Sequence, residues 1–411
     1  MSSNQLGIRV ALYLNYFVFA ILLNSVGIII QRSINAYGVT EVEASTLEAF
    51  KDLSIALGSF FLGSFLPRLG YKRGMLIGLG AVFGGCLLMY AGNSFTAARI
   101  LFAVVGLSFA IVKVSVYALI GQVSPDRKSL NSLMSSVESV FMVGIALAYV
   151  MFPLFYSDTD PDAWLRIYLF LAVVVAISFL IIWNIPMGID QPPPSGSPLR
   201  DFRKMAGLLK MPLVAVFALS AFMYVMTEQG IMSWLPTFNE KVLHLPESLS
   251  VNMAVILALS IALGRYLSGL LAKRYSWNLI VTGSLIAASA LVIFVLPMAS
   301  NLEPRPIMSL TDVPLIGFVF PLIGLFLAPI YPLVNAAVLG ATEKASHSAM
   351  AGLLTFFSAV GGTLGSRLVG ELFQAIGGNK AFYFSLVPLG LLVGLVFILH
   401  TMTRKKAQAY E

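Results

Sequence analysis

The chain has 411 residues, of which 58% are hydrophobic and only 11% charged. Soluble domains carry about 25% charged residues, so a soluble globular protein is excluded. The net charge of +7 does not point to nucleic acid, because the basic residues sit in short breaks between long apolar runs rather than on one patch.

A helix needs roughly 20 apolar residues to cross about 30 Å of hydrocarbon. Taken in chain order, runs of that kind predict spans over residues 9–33, 46–67, 74–93, 97–121, 130–155 and 163–186. A polar stretch, Asp190-Gln191-Pro192-Pro193-Pro194-Ser195-Gly196-Ser197-Pro198, then interrupts the pattern. Six further runs follow at 212–237, 249–272, 277–299, 313–340, 348–374 and 380–402. These runs are too long for a membrane β-barrel and lack its period of two. The first is too long and continuous for a cleaved signal peptide. The expected fold is an all-α integral membrane protein of twelve helices in two pseudo-symmetric six-helix bundles. The bundles would be residues 1–187 and 212–411, with a cytoplasmic linker at 188–211. Sixteen of the 26 Lys and Arg lie at the N-terminus, in even-numbered breaks or in the tail, and six lie in odd-numbered breaks. The positive-inside rule then places both termini in the cytoplasm of an inner-membrane, multi-pass protein.

Two breaks share a pattern. After span 2 the chain reads Gly63-Ser64-Phe65-Leu66-Pro67-Arg68-Leu69-Gly70-Tyr71-Lys72-Arg73-Gly74, and after span 8 it reads Gly269-Leu270-Leu271-Ala272-Lys273-Arg274-Tyr275. A small residue followed by a tight basic turn at the same place in each half marks an internal repeat. This pair of turns resembles the signature loops of the major facilitator superfamily, with Pro67 where an acidic residue usually stands. The resemblance covers nearly the whole chain and implies alternating-access transport. It also implies that Arg68, Lys72, Arg73, Lys273 and Arg274, with Arg265 nearby, serve as gate or structural residues. The Gly70–Gly74 turn, the run Tyr224–Trp234 and the run Gly264–Gly269 further resemble fucose/galactose/glucose–proton symporters. That branch carries a carboxylate in span 4, where this chain offers Ile111 and then Lys113.

Ionisable residues inside spans need partners or a water-filled cavity. Glu48, Lys51 and Asp52 begin span 2, and Glu48 and Asp52 share a helix face. Lys113 in span 4 and Glu138 in span 5 fall at matching depth on adjacent antiparallel helices, so the two can pair. Glu228 in span 7 matches an acid of the symporter branch. Asp52, Glu138 and Glu228 are therefore the candidate proton-coupling residues. Candidate substrate contacts are Asn24, Lys113, Gln229, Trp234, Tyr331, Asn335 and Arg367, with Tyr13 and Asn15 nearby in span 1. Aromatic rings can stack on a sugar face and amides can bond hydroxyls. Arg367 reads equally as a gate ion-pair residue. In Ala328-Pro329-Ile330-Tyr331-Pro332, two prolines break the hydrogen-bond ladder and predict a bent span 10.

The chain has one cysteine, Cys86, and three histidines without ligand spacing, so neither a metal nor a cofactor is expected. No phosphate-binding G-x-x-x-x-G-K-[ST] motif occurs, so ATP does not drive the chain. The leading expectation is a monomeric, proton-coupled importer of a small polar solute such as a sugar. Rivals are drug or metabolite efflux, transport of an organic anion or siderophore, and a membrane receptor or scaffold. An enzyme is not expected, because no nucleophile–base pair stands out.

Overall fold

The computed structural model describes residues 3–63, 69–123, 127–157, 159–185, 206–300, 307, 309–342 and 347–408. Arg68 and most of the linker, at 186–205, lie outside them. Every long element among the described residues is a helix. Eleven are long and apolar enough to cross a membrane. The helix Thr46–Gly63 stands between the first and second of these, and Glu48, Lys51 and Asp52 near its start set it apart in composition. The chain divides into two compact units, Met1–Gly38 with Phe50–Arg200, and Val39–Ala49 with Asp201–Glu411.

In the first unit, α1 (Ser3–Asn24) and α2 (Val26–Tyr37) form one long span interrupted at Ser25, whose Oγ donates to Leu22 O at 2.8 Å. Gly38 ends α2 in the left-handed region at φ 63°, where a side chain would be strained. The short α3 (Glu41–Ala44) precedes α4 (Thr46–Gly63), and α5 (Tyr71–Gly92), α6 (Phe95–Val123), α7 (Arg127–Met151) and α8 (Arg166–Asn184) follow. α5 packs on α6 and α8, and α1 packs on α6, α7 and α8. α5 shows why such a helix suits a membrane. Met75, Leu79, Val82, Cys86 and Met89 recur every three or four residues and are buried. The opposite face exposes Ile77, Phe83, Leu87 and Leu88, which only lipid can cover at no cost.

The second unit begins its main run with α9 (Pro212–Lys241), whose first residue is a proline, where the missing N–H costs nothing. It continues through α10 (Glu247–Met253), α11 (Val255–Leu271) and α12 (Trp277–Val295). Span 10 is broken as expected: α13 (Leu315–Val319), a tight turn at Phe320–Leu322, α14 (Ile323–Leu327), and then α15 (Ile330–Gly340), which Pro329 precedes. A third proline, Pro321, adds a break that the Pro329–Pro332 pair does not account for. α16 (His347–Ile376), α17 (Gly378–Ala381) and α18 (Leu386–Gln408) complete the unit.

The tightest packing in this unit is between α9 and α16. A Cβ at Gly361 or Gly365 would run into the backbone carbonyls of Phe222 and Met226, so only glycine allows this approach. α11 and α14 meet the same way, with Gly264 against Leu325 and Gly324 against Leu257. Trp234, Phe238, Phe320, Phe373 and Phe382 form a ring cluster at centroid distances of 5.1–5.7 Å.

Residues Val39–Ala49 group with this unit. Thr40 caps α3 in a box with Glu43. Glu41 pairs with Lys241 at 2.6 Å, Val42 O accepts from Arg367 at 2.9 Å, and Glu48 accepts from Ser233 at 2.7 Å.

Candidate functional site

Two clusters of ionisable and aromatic side chains stand out, one in each unit. In the first unit, Phe109, Lys113 and Tyr117 are spaced four apart on α6 and so share a face. The Lys113 ammonium lies 5.8 Å from the Phe109 ring centroid and 5.9 Å from that of Tyr117. Tyr117 donates its hydroxyl to Glu138 Oε1 on α7 at 2.7 Å. Lys113 and Glu138 interact electrostatically, but among the described residues they form no direct ion pair. The expected contact is thus bridged by Tyr117, whose phenol reaches the carboxylate and whose ring takes the ammonium. Each cation–π contact contributes roughly 0.5–2 kcal/mol. Tyr16 on α1 and Phe141 on α7 close the ring cluster, 5.6 Å apart, with Tyr16 also 6.2 Å from Tyr117. The neighbouring Asn15 and Asn24 spend their amide nitrogens on their own helix, at Ala11 O and Ala20 O, both at 2.8 Å.

In the second unit, Tyr224 and Glu228 are one helical turn apart on α9, and Tyr224 donates to Glu228 Oε1 at 2.6 Å. The Tyr224 ring stacks on Tyr331 of α15, with centroids 5.6 Å apart and planes at 29°. Arg265 on α11 is exposed on its helix and acts electrostatically on both Glu228 and Tyr224. Tyr331 and Asn335 line a small cavity of about 10 Å³ with Phe217, Val334 and Leu392, room for roughly one water. Gln229 is half-buried beside Glu228. Lys113 with Glu138, Glu228 with Arg265 and, through Tyr224, with Tyr331, and Tyr331 with Asn335 at the small cavity are thus the sequence candidates that the fold brings together.

The other candidates have different neighbours. Trp234 is fully buried, its indole N–H donating to Ser366 O at 2.9 Å and to Ser366 Oγ at 3.1 Å, which leaves no ring face open. Arg367 pairs with Glu371 at 2.7 Å one turn along α16 and holds Val42 O, so its guanidinium is occupied at the α3 clasp. Asp52 is buried beside Lys51, with their charges 3.4 Å apart. Lys72 donates to Trp183 O and Ile185 O, both at 2.8 Å, and so caps the carbonyl end of α8. Arg73, Lys273 and Arg274 are exposed at helix ends. Tyr117 and Tyr224 were not singled out in the sequence; the four-residue spacing of Tyr224 and Glu228 was the available signal for the second of them.

The family model of the Major Facilitator Superfamily matches residues 12–323. The chain belongs to the Major Facilitator Superfamily. A relative is the "Protein TsgA homolog" of Buchnera aphidicola subsp. Baizongia pistaciae (strain Bp), 19% identical over 407 residues and covering 98% of both chains. Among solved structures, a bacterial homolog to the human lysosomal transporter Spinster is similar at a TM-score of 0.77 and 14% identity, covering 99% of each chain. The nucleoside transporter NupG matches at 0.73 and 14% identity over 97% of this chain and 100% of its own. The transporter FucP in its outward conformation matches at 0.61 and 15% identity over 96% and 98%. At these identities the likeness shows a shared fold. This superfamily member is a multi-pass membrane transporter rather than an enzyme, and its family is consistent with secondary transport.

Proposed function

We propose that this transporter couples uptake of a small polar solute, sugars being the first class to test, to protons moving inward, by alternating access. We place it in an inner membrane as a monomer with both termini cytoplasmic and two six-helix bundles joined by the linker at 188–211. The observation that carries the reading is the recurrence of one device in both units. Glu138 and Glu228 each lie well inside a span, and each accepts a short hydrogen bond from a tyrosine, at 2.7 and 2.6 Å. A carboxylate held by a neutral donor, with a cation near by, can gain or lose a proton without leaving a second buried charge in contact with it. A structure of the Escherichia coli fucose:proton symporter FucP shares the fold at a TM-score of 0.64, which supports trying fucose, galactose and glucose first. Lys113 favours a second reading, an organic anion, because its ammonium lies over two rings and, among the described residues, forms no direct ion pair with the nearby Glu138.

The test is uptake into proteoliposomes under an imposed inward proton gradient. L-fucose, D-galactose, D-glucose and a set of small carboxylates serve as probes. One of them should accumulate, an uncoupler should abolish its accumulation, and Glu138→Gln or Glu228→Gln should do the same while leaving exchange across the membrane. Accumulation that survives the uncoupler, or that both variants retain, overturns proton coupling.

A further inference from the structure

Lys113 lies about 27 Å from the first residue of α6 and about 15 Å from the last, at 1.5 Å per residue. Its side chain is half-buried, so part of it meets space that the protein does not fill. An ammonium at that depth is too costly to face lipid, and the space it meets is therefore aqueous. The titratable groups facing it are Tyr117 on its own helix and Glu138 on α7, with Tyr16 on α1 packed against Tyr117. The one carboxylate among them gives an oxygen to Tyr117. Among the described residues no oxygen accepts a hydrogen bond from Lys113, although an ammonium carries three donors.

We propose that Lys113 is the anion-binding residue of the solute site, and that the solute is a small organic anion: a carboxylate on a flat, unsaturated or aromatic body. The proposal rests on the transport reading above and narrows its solute. The solute's carboxylate takes the donors that the two rings cannot, since rings offer the ammonium a negative face but no lone pair. Its flat body lies along Tyr117 and Phe141, which are half-buried and so keep part of their rings accessible, while Tyr16 and Phe109 back them from the core. Offset or edge-on ring contacts then fix its orientation. A neutral sugar could replace the water hydrogen bonds of Lys113 through its hydroxyls but would add no charge, whereas a carboxylate makes the shorter and stronger charge-assisted bonds.

The experiment uses the full-length chain in detergent, with benzoate, 4-hydroxybenzoate and cinnamate as probes and the matching amides as neutral controls. At least one carboxylate should raise the melting temperature in a concentration-dependent way, and its amide should not. Lys113→Met should weaken that carboxylate at least about tenfold, and Lys113→Arg should keep most of the binding. The carboxylate–amide comparison needs no variant, so it stands even if Lys113→Met fails to fold. The proposal is overturned if no carboxylate shifts the wild type, if the amides shift it equally, or if Lys113→Met binds the carboxylate as well as wild type. Gradient-driven uptake of a sugar with no carboxylate binding would overturn the anion site and leave transport standing. Carboxylate binding without uptake under any gradient would do the reverse.

Discussion

Glu41 shows at the residue scale how a single side chain ties a short segment down. Burial pushes its carboxyl pKa up, but the hydrogen bond and charge of Lys241 outweigh that and hold it below the usual carboxylate range. A carboxylate whose folded pKa is depressed contributes stability above its unfolded pKa of about 4.3, and that contribution disappears as pH falls through the lower folded value. The wild type should therefore lose melting temperature between about pH 5 and 3 faster than Glu41→Gln does. The excess should be small, about 0.2–1 kcal/mol, because the pair is partly solvated. Parallel melting curves for the two proteins over that range would show that the pair contributes nothing. Residues of this kind were only partly legible in the sequence. Lys113 and Glu138 were found because charge inside an apolar run is conspicuous, but complementarity of charge suggested that they touch. A tyrosine between them could not be read, because an aromatic in a membrane helix usually packs and its hydroxyl partner depends on how two helices are turned. Tyr224 and Glu228 were within reach, because one helix with a four-residue spacing sets that contact without any packing. Trp234 and Arg367 looked like binding residues by chemical type; their real neighbours, Ser366 and Val42, come from 132 and 325 residues away.

At the element scale, glycine decides how closely helices approach. Gly361 and Gly365 seat α16 on the backbone of α9, whereas Gly283 on α12 has open space where a Cβ would go. Gly365→Ala should cost about 1–3 kcal/mol or prevent folding, since the neighbouring carbonyl cannot move without bending α9. Gly283→Ala should be neutral or stabilising by up to about 1 kcal/mol, because alanine favours the helix. Melting temperatures of the two single variants in the same detergent decide the matter, and equal effects would refute the packing argument. The broken span 10 was legible because proline acts locally through its missing N–H and fixed φ. The glycine contacts are half legible: the run Gly361-Gly362-Thr363-Leu364-Gly365 allows tight packing or a bend, but does not show that α9 is the partner. The clasp of α3 was not legible, since four residues carry no periodicity and their attachment is set entirely by tertiary partners.

At the scale of the whole molecule, hydropathy alone outlines the spans, because every crossing helix must be apolar for about 20 residues whatever its partners. The grouping of Val39–Ala49 with the second half of the chain could not come from hydropathy, since it rests on Lys241, Ser233 and Arg367. Orientation across the membrane is a separate matter, governed by the basic breaks. Under the proposed topology, with both termini cytoplasmic, a cysteine placed at Asp160 should react with an impermeant maleimide added to intact cells, and one at Lys273 should react only after the membrane is opened. Lys273 is exposed and the Asp160 side chain is 41% exposed, so a reversed labelling pattern would reverse the topology.

The lone thiol of Cys86 sits in the seam of α5 with no exposed surface. A water-borne reagent has no route to it while the protein is folded, and any cysteine added elsewhere becomes the one reactive thiol in the chain. The natural sequence is thus already a silent background for spectroscopy. Pairs of spin labels can be attached to exposed helix ends, and their distances can be followed with and without a solute, without first removing a native side chain from the core. Reaction at Cys86 itself would then mark local unfolding of α5, giving an internal alarm for labelled samples that have lost their structure.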